Sequence, residues 1–241
     1  MHIVVRGFFI FSLLTALNVP ESYAQDVNNV FIHCNSKAQK NLVKTKTVWR
    51  DFSVDNSLPS RRLNNRASRT PSGDFVVGLT SLTTITEIEF SGELIKQKNG
   101  SGECLSPQIQ ITIALDPIQV YIGSEFKPGS CAYNTIYEHE MRHVALYKAS
   151  IPKVANIVQD LLKRRLGERP IYAPADTAYR LLRQEIDQFW RPLIKAELSK
   201  IEIDQQAIDS EDELTELAVA CNGTIQKRFG LRSGTDALDL L

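Results

Sequence analysis

The chain has 241 residues, 43% hydrophobic and 23% charged, a balance that can build a globular core. Its 28 basic residues equal its 28 acidic ones, so the formal net charge is zero. That argues against nucleic acid as the main partner and against electrostatic docking to a membrane.

The first residues read as a secretory signal. Arg6 is the only positive residue of a short leader, and Gly7 to Leu17 is almost wholly apolar. That run is too short to span a bilayer comfortably. Ser22-Tyr23-Ala24 offers small residues where a signal peptidase reads, so cleavage is expected before Gln25. The mature chain, 25–241, is expected to be periplasmic or secreted as one domain, with no membrane insertion. It divides into a strand-rich part (25–125), a helical part (130–221) and a short tail (222–241). All four cysteines, Cys34, Cys104, Cys131 and Cys221, follow the signal, and an even count in an exported chain points to two disulfides. Three pairings are possible. The expected one joins Cys104 to Cys131, stapling strands to a helix start, and Cys34 to Cys221.

Val30-Phe31-Ile32 marks a first strand, with His33 and Cys34 beside it. Residues 42–54 alternate loosely as a second. Residues 55–74 read as loop, rich in Asn, Ser and Pro. Arg61, Arg62, Arg66 and Arg69 fall there, as a solvated loop or as a groove rim for acidic substrates. Thr84 to Phe90 and Ile109 to Leu115 alternate polar and apolar, as half-buried strands do. Asn99-Gly100 between them is a hairpin turn signal. Asp116-Pro117 is expected to break the second strand before a last short one at 118–122.

From Cys131 the period becomes helical. Ser130 caps, Pro152 is expected to kink or restart the helix, and Lys163-Arg164-Arg165 with Gly167 ends it. Pro170 to Asp176 is a connector. Asp176 or Thr177 caps a long helix to about Ala207, and Ser210 with Glu213 forms a capping box for a last helix to about Val219. Strands first and helices second make the class α+β, with a mostly antiparallel sheet.

Within the first helix stands His139-Glu140-Met141-Arg142-His143. A spacing of four puts both imidazoles on one helix face, one turn apart, where they can bind one zinc ion. Glu140 beside them can accept a proton from a water that the ion activates. Two of only four histidines lie in this motif. A third protein ligand is required. His33 is the only other histidine after the signal, so a downstream carboxylate is favoured. The long helix carries an apolar stripe through Leu182, Ile186, Trp190 and Leu193 to Ile201 and Ile208. Glu197 lies within about 40° of its centre at 100° per residue, and Asp204 shares it. A carboxylate there is costly unless paired or metal-bound. If the two long helical segments pack antiparallel about residue 171, Glu197 and Asp204 are level with the histidines. Glu197 is the first choice, Asp204 the second and Asp209 the third. The other reading of Glu197 is an ion pair with Arg142 or a lysine.

With these motifs the chain resembles a zincin metallopeptidase. More narrowly, it resembles a bacterial family of exported, predicted zinc-dependent proteases of unknown function. The matching residues are Cys131-Ala132-Tyr133 ahead of the histidine motif, and Gln206-Ala207-Ile208-Asp209-Ser210 with Glu213 ahead of Cys221; together they cover roughly residues 100–221. The resemblance implies a zincin-like fold, His139 and His143 as ligands and Glu140 as general base. It also implies a peptide substrate laid along an edge strand, for which residues 108–122 are the candidates. No third histidine follows His143, so the third ligand stays open among the acidic residues. Tyr147 either orients a ligand or simply packs. The expected function is an exported zinc-dependent peptidase acting on peptide or protein. The alternative is a zinc-binding or inactive module that binds a protein or cell-wall partner.

Overall fold

The computed structural model describes residues 40–67, 76–98 and 100–228. The expected signal, the strand around Val30, His33 and Arg69 lie outside them. The elements are β1 (Leu42–Trp49), β2 (Ser53–Asp55), α1 (Ser60–Asn64), β3 (Gly78–Lys96), β4 (Gly102–Ile122), α2 (Cys131–Leu166), β5 (Ile171–Pro174), α3 (Ala178–Glu185), a π-helical turn (Ile186–Trp190), α4 (Arg191–Ile208) and α5 (Glu211–Arg228). The sheet is built mainly from the first half of the chain and the long helices from the second. α1 falls in the stretch read as loop, and β5 in the connector.

The five strands assemble around β4. The long strand β3 pairs with it in an antiparallel hairpin, and Gly100 takes a positive φ of 72° in the turn. On the other edge β5, β1 and β2 lie end to end. β1 and β2 run parallel to β4, while β3 and β5 run antiparallel. The expected mostly antiparallel sheet is therefore a mixed one. The cause is the passage through α1. β2 ends opposite Tyr121, and β3 begins opposite Ile122, on the other edge of the same strand. β2 and β3 thus pair with β4 rather than with each other.

Alternation decides the faces. Ile109, Ile111, Ile113 and Leu115 of β4 are buried, and opposite them on β3 stand Phe90, Ile88, Thr86 and Thr84. On β1, Thr45 donates to the Ala155 carbonyl of α2 at 3.1 Å, so this face meets the helices. The other face carries Lys44, Glu87, Glu89 and Gln110.

Asp116-Pro117 does not end the strand. β4 continues through it, with a cis peptide, and the register with β3 shifts between Leu82 and Thr84. On the opposite edge β1 stops at Leu115 and β2 resumes at Gln119. A proline has no N–H for the ladder, so both neighbours skip it and the central strand absorbs it as a bulge. Likewise α2 runs unbroken across Pro152 to Gly167, instead of restarting there.

Cys131 is bonded to Cys221, ninety residues on. This replaces both expected bridges. Cys104 opens β4 and Cys131 follows its far end. At about 3.3 Å per residue the strand between them spans roughly 60 Å, beyond the reach of any disulfide. Cys104 is itself disulfide-bonded. Among the described residues no helix is long and apolar enough to cross a membrane, and the disulfide is compatible with export.

α3 is not capped as expected. The Thr177 side chain does not cap it. Instead the buried Glu103 of β4 accepts from the backbone N–H of Thr177 at 2.8 Å and of Ala178 at 2.7 Å. A negative group at a helix start is favourable, and its loss leaves buried donors unpaired. Glu103→Ala is expected to cost about 2 kcal/mol and to lower Tm by roughly 4–8 °C in thermal unfolding. Glu103→Gln keeps an acceptor, and less than half of that loss is expected from it.

Candidate metal centre

Ser130 starts α2 by accepting from the Tyr133 N–H at 3.2 Å. The helix then buries Ile136, His139, Glu140, His143 and Val144 against the sheet and α4. His139 and Glu140 are each 4% exposed and His143 8%. Two imidazoles and a carboxylate in a core need partners.

The partner of both rings is Asp209. Its Oδ1 lies 3.0 Å from His139 Nε2 and 3.1 Å from His143 Nε2, and the two nitrogens are 3.4 Å apart. Asp209 ends α4, and Ser210 after it accepts from the Glu213 N–H at 3.4 Å to open α5. The helix-to-helix corner thus sets the carboxylate over the rings. These three side chains can hold a metal ion.

The rings are not equivalent. Gln205 Oε1 lies 2.6 Å from His143 Nδ1, while Gln205 Nε2 donates to the His143 carbonyl at 3.2 Å. The amide is thereby oriented with its oxygen toward the ring, so Nδ1 carries the proton and Nε2 turns a lone pair to the corner. That is the tautomer a metal needs. His139 differs. Arg142 approaches its Nδ1 at 3.0 Å, and a guanidinium only donates. Metal binding through Nε2 therefore requires His139 to move its proton to Nδ1 and release Arg142, which Glu213 already holds at 2.6 Å.

Without a metal, the carboxylate opposite the rings instead favours a proton on the nitrogens that face it. Burial raises the Asp209 carboxyl, but hydrogen bonds and charge from both histidines outweigh it and hold Asp209 far below the carboxylate range. Burial lowers His143, yet the Asp209 hydrogen bond, the Glu140 charge and Gln205 together raise it above the ordinary histidine value. Glu140 is pushed up, mainly by burial, against the pull of His143, Thr80 and His139. Thr80 of β3 donates to Glu140 Oε2 at 2.8 Å. Two residues earlier, Gly78 lies so close that a Cβ there would overlap Glu140 Oε1 and Ile136. β3 therefore passes directly over the carboxylate because it has a glycine to do so.

His139, Glu140 and His143 stand together as the motif implies, but Glu197 does not join them. It is buried on the inner stripe of α4, as its position predicts, yet both carboxylate oxygens take Lys200 Nζ at 2.7 Å. The carboxylate brought to the histidines is the third choice, Asp209, and Asp204 is exposed. The stripe continues from Glu197 through Ile201 to Gln205, and it is Gln205 that faces His143. The antiparallel estimate sets position 199 there, six residues or about 9 Å of helix away. The connector runs as β5 along β4 instead of turning tightly, so the second helix starts displaced. Tyr147 donates to Glu202 at 3.0 Å, and its hydroxyl is pushed far up by burial and that carboxylate. Residues 108–122 are central β4, paired on both edges, and cannot be an edge strand. The free edge is the outer side of β3, with which no described strand pairs. Gln205 and Thr80 carry no sequence signal that marks them, because single neutral polar residues are common on any helix or strand.

Compared with protein-family models, with curated proteins and with solved structures, the chain matches none.

Proposed function

We propose that this protein is a zinc-dependent hydrolase acting on peptide bonds. The observation that supports it most is the convergence of His139 Nε2, His143 Nε2 and Asp209 Oδ1 within 3.0–3.4 Å, with Glu140 next in sequence to the first ligand. Two imidazoles and one carboxylate are a donor set suited to zinc, with a position left for water. Bound there, zinc would supply Lewis acidity and make water acidic enough to ionise near neutrality.

The chain's own residues supply the rest. Gln205 keeps the His143 proton on Nδ1, and Asp209 stays ionised. Glu140 is the proton carrier: its raised affinity for a proton suits it to take one from water and return it to a leaving amine. Thr80 fixes the carboxylate, and Gly78 lets the strand lie close. A peptide added to the free edge of β3 would run past Glu140 with its backbone hydrogen-bonded. This edge takes the place of residues 108–122.

The test is metal content and cleavage together. The wild type is expected to bind one zinc and to cleave members of a broad peptide library. Glu140→Gln is expected to keep the zinc and to lose at least about a thousandfold in rate. A wild type that binds zinc but cleaves nothing would leave the protein as a zinc-dependent binding module.

A further inference from the structure

The two rings at the corner have opposite neighbours on their far nitrogens. His143 Nδ1 faces an acceptor, Gln205 Oε1, at 2.6 Å. His139 Nδ1 faces a donor, Arg142 Nη2, at 3.0 Å. A guanidinium only donates, so here Nδ1 accepts and the ring's proton sits on Nε2, toward Asp209. A metal ion on Nε2 needs the reverse: the proton on Nδ1, with an acceptor beside it.

An acceptor stands directly behind Arg142. The same Nη2 lies 2.6 Å from Glu213 Oε2, so one guanidinium nitrogen separates the ring from a carboxylate. Glu213 is turned this way although its place in the fold offers another partner. Ser210 Oγ accepts from the Glu213 N–H at 3.4 Å, which is half of a capping box. In the closed box the Glu213 carboxylate would return to the Ser210 N–H; here it is on Arg142. Glu213 follows Asp209 by four residues, so the α4–α5 corner sends one carboxylate to each side of His139. Both partners have room to move, since the Arg142 side chain is 48% exposed and that of Glu213 34%.

We infer that Arg142 and Glu213 are opposed positioning residues for the metal: Arg142 holds His139 in the form that refuses it, and Glu213 takes over Nδ1 when Arg142 leaves. The ring keeps one proton throughout, moved from Nε2 to Nδ1 through solvent, and Arg142 swings out still charged. The inference rests on reading this corner as a zinc site, but not on peptide cleavage. Zinc dissociation constants, read by competition with a chelating dye, test it. Arg142→Met is expected to bind zinc about tenfold more tightly than the wild type. Adding Glu213→Asp keeps the charge but withdraws the carboxylate by one carbon, and is expected to lower affinity again by at least about tenfold. A pair that merely ties α5 to α2 behaves otherwise: Arg142→Met weakens zinc binding, and Glu213→Asp adds nothing once its partner is gone. Spectra of nitrogen-15-labelled histidine give a readout that such a tie does not move. In the zinc-loaded Arg142→Met protein the His139 Nδ1 proton is expected far downfield, as in a hydrogen bond to a carboxylate, and upfield of that position once Glu213→Asp is added. Equal or weaker zinc binding by Arg142→Met, or no loss on adding Glu213→Asp, would overturn the exchange. A wild type that binds no zinc overturns the zinc reading with it. A wild type that binds zinc, with both variants behaving as expected, yet cleaves nothing upholds the exchange and removes only the hydrolase reading.

Discussion

Asp209→Asn is expected to lose zinc, with affinity falling at least about a hundredfold, while Glu197→Gln keeps it. Both positions are acidic, one inside α4 and one just past its end, so the pair separates a ligand from an ion-paired carboxylate. Asparagine preserves shape but removes the charge that faces both rings at 3.0–3.1 Å. Glutamine at 197 disturbs only the Lys200 contact, whose lysine is largely in solvent. Zinc per chain, counted after dialysis, gives the answer, with circular dichroism as the check on folding.

The pH dependence of the same corner follows from the two shifts. Asp209 is depressed, so it stays ionised well into acid and does not release the metal first. His143 is raised in the metal-free protein, so protons begin to compete for its Nε2 above the ordinary histidine range. Zinc loading should therefore decline on acidification earlier than an unperturbed histidine would predict. In the metal-free protein the signs combine differently. The depressed Asp209 adds stability above the unfolded aspartate value. The raised His143 adds stability that is full below the unfolded histidine value and is lost as pH rises through the folded one. The pair is thus worth most between about pH 4 and 6.5. Asp209→Asn should flatten the stability profile in that window, and thermal melts across pH would measure it.

The paired substitution Cys131→Ser with Cys221→Ser is expected to cost about 3 kcal/mol and to lower Tm by roughly 6–12 °C. The closed loop is long, which favours a large entropic gain from the bridge. The chain around Cys221 also needs holding. Cys221, Asn222 and Gly223 all have φ between 56° and 70°, and two of these three are not glycine. That left-handed run is unfavourable for a free chain. The bridge joins it to the first turn of α2, two turns before His139. α5 therefore hangs between the disulfide and the Asp209 corner. Releasing one end should loosen the other, and zinc affinity should fall together with Tm although no ligand is changed. Serine substitution is preferable to a reducing agent, because Cys104 is bridged too.

The histidine motif was legible because its spacing is local. Four residues on a helix define a face without any knowledge of the fold. The β3–β4 hairpin was legible for the same reason, since alternation and the Gly100 turn are short-range signals. The sheet's mixed direction was not. It depends on where α1 returns the chain, and no residue between 55 and 78 states that. Asp209 was the weakest of the three carboxylate choices because burial was used to rank them. Glu197 has the burial but also Lys200 three residues on, and a lysine can reach back along one turn and keep its own amine in water. Asp209 has neither an apolar neighbourhood nor a helical position; its signal was the corner itself, a carboxylate just ahead of a capping box. The partner of Cys131 was not legible, because β4 runs on through Pro117 as one long strand and carries Cys104 far from the start of α2.

The outer side of β3 bears on how copies of this chain behave toward one another. A strand of nineteen residues whose backbone groups face outward is a template on which a second copy could crystallise its own strand. Along the solvent face of that strand stand Glu87, Glu89 and Glu93, all exposed. Brought edge to edge, two such strands would set acidic rows against each other. The negative row therefore opposes edge-to-edge pairing of two copies of the chain.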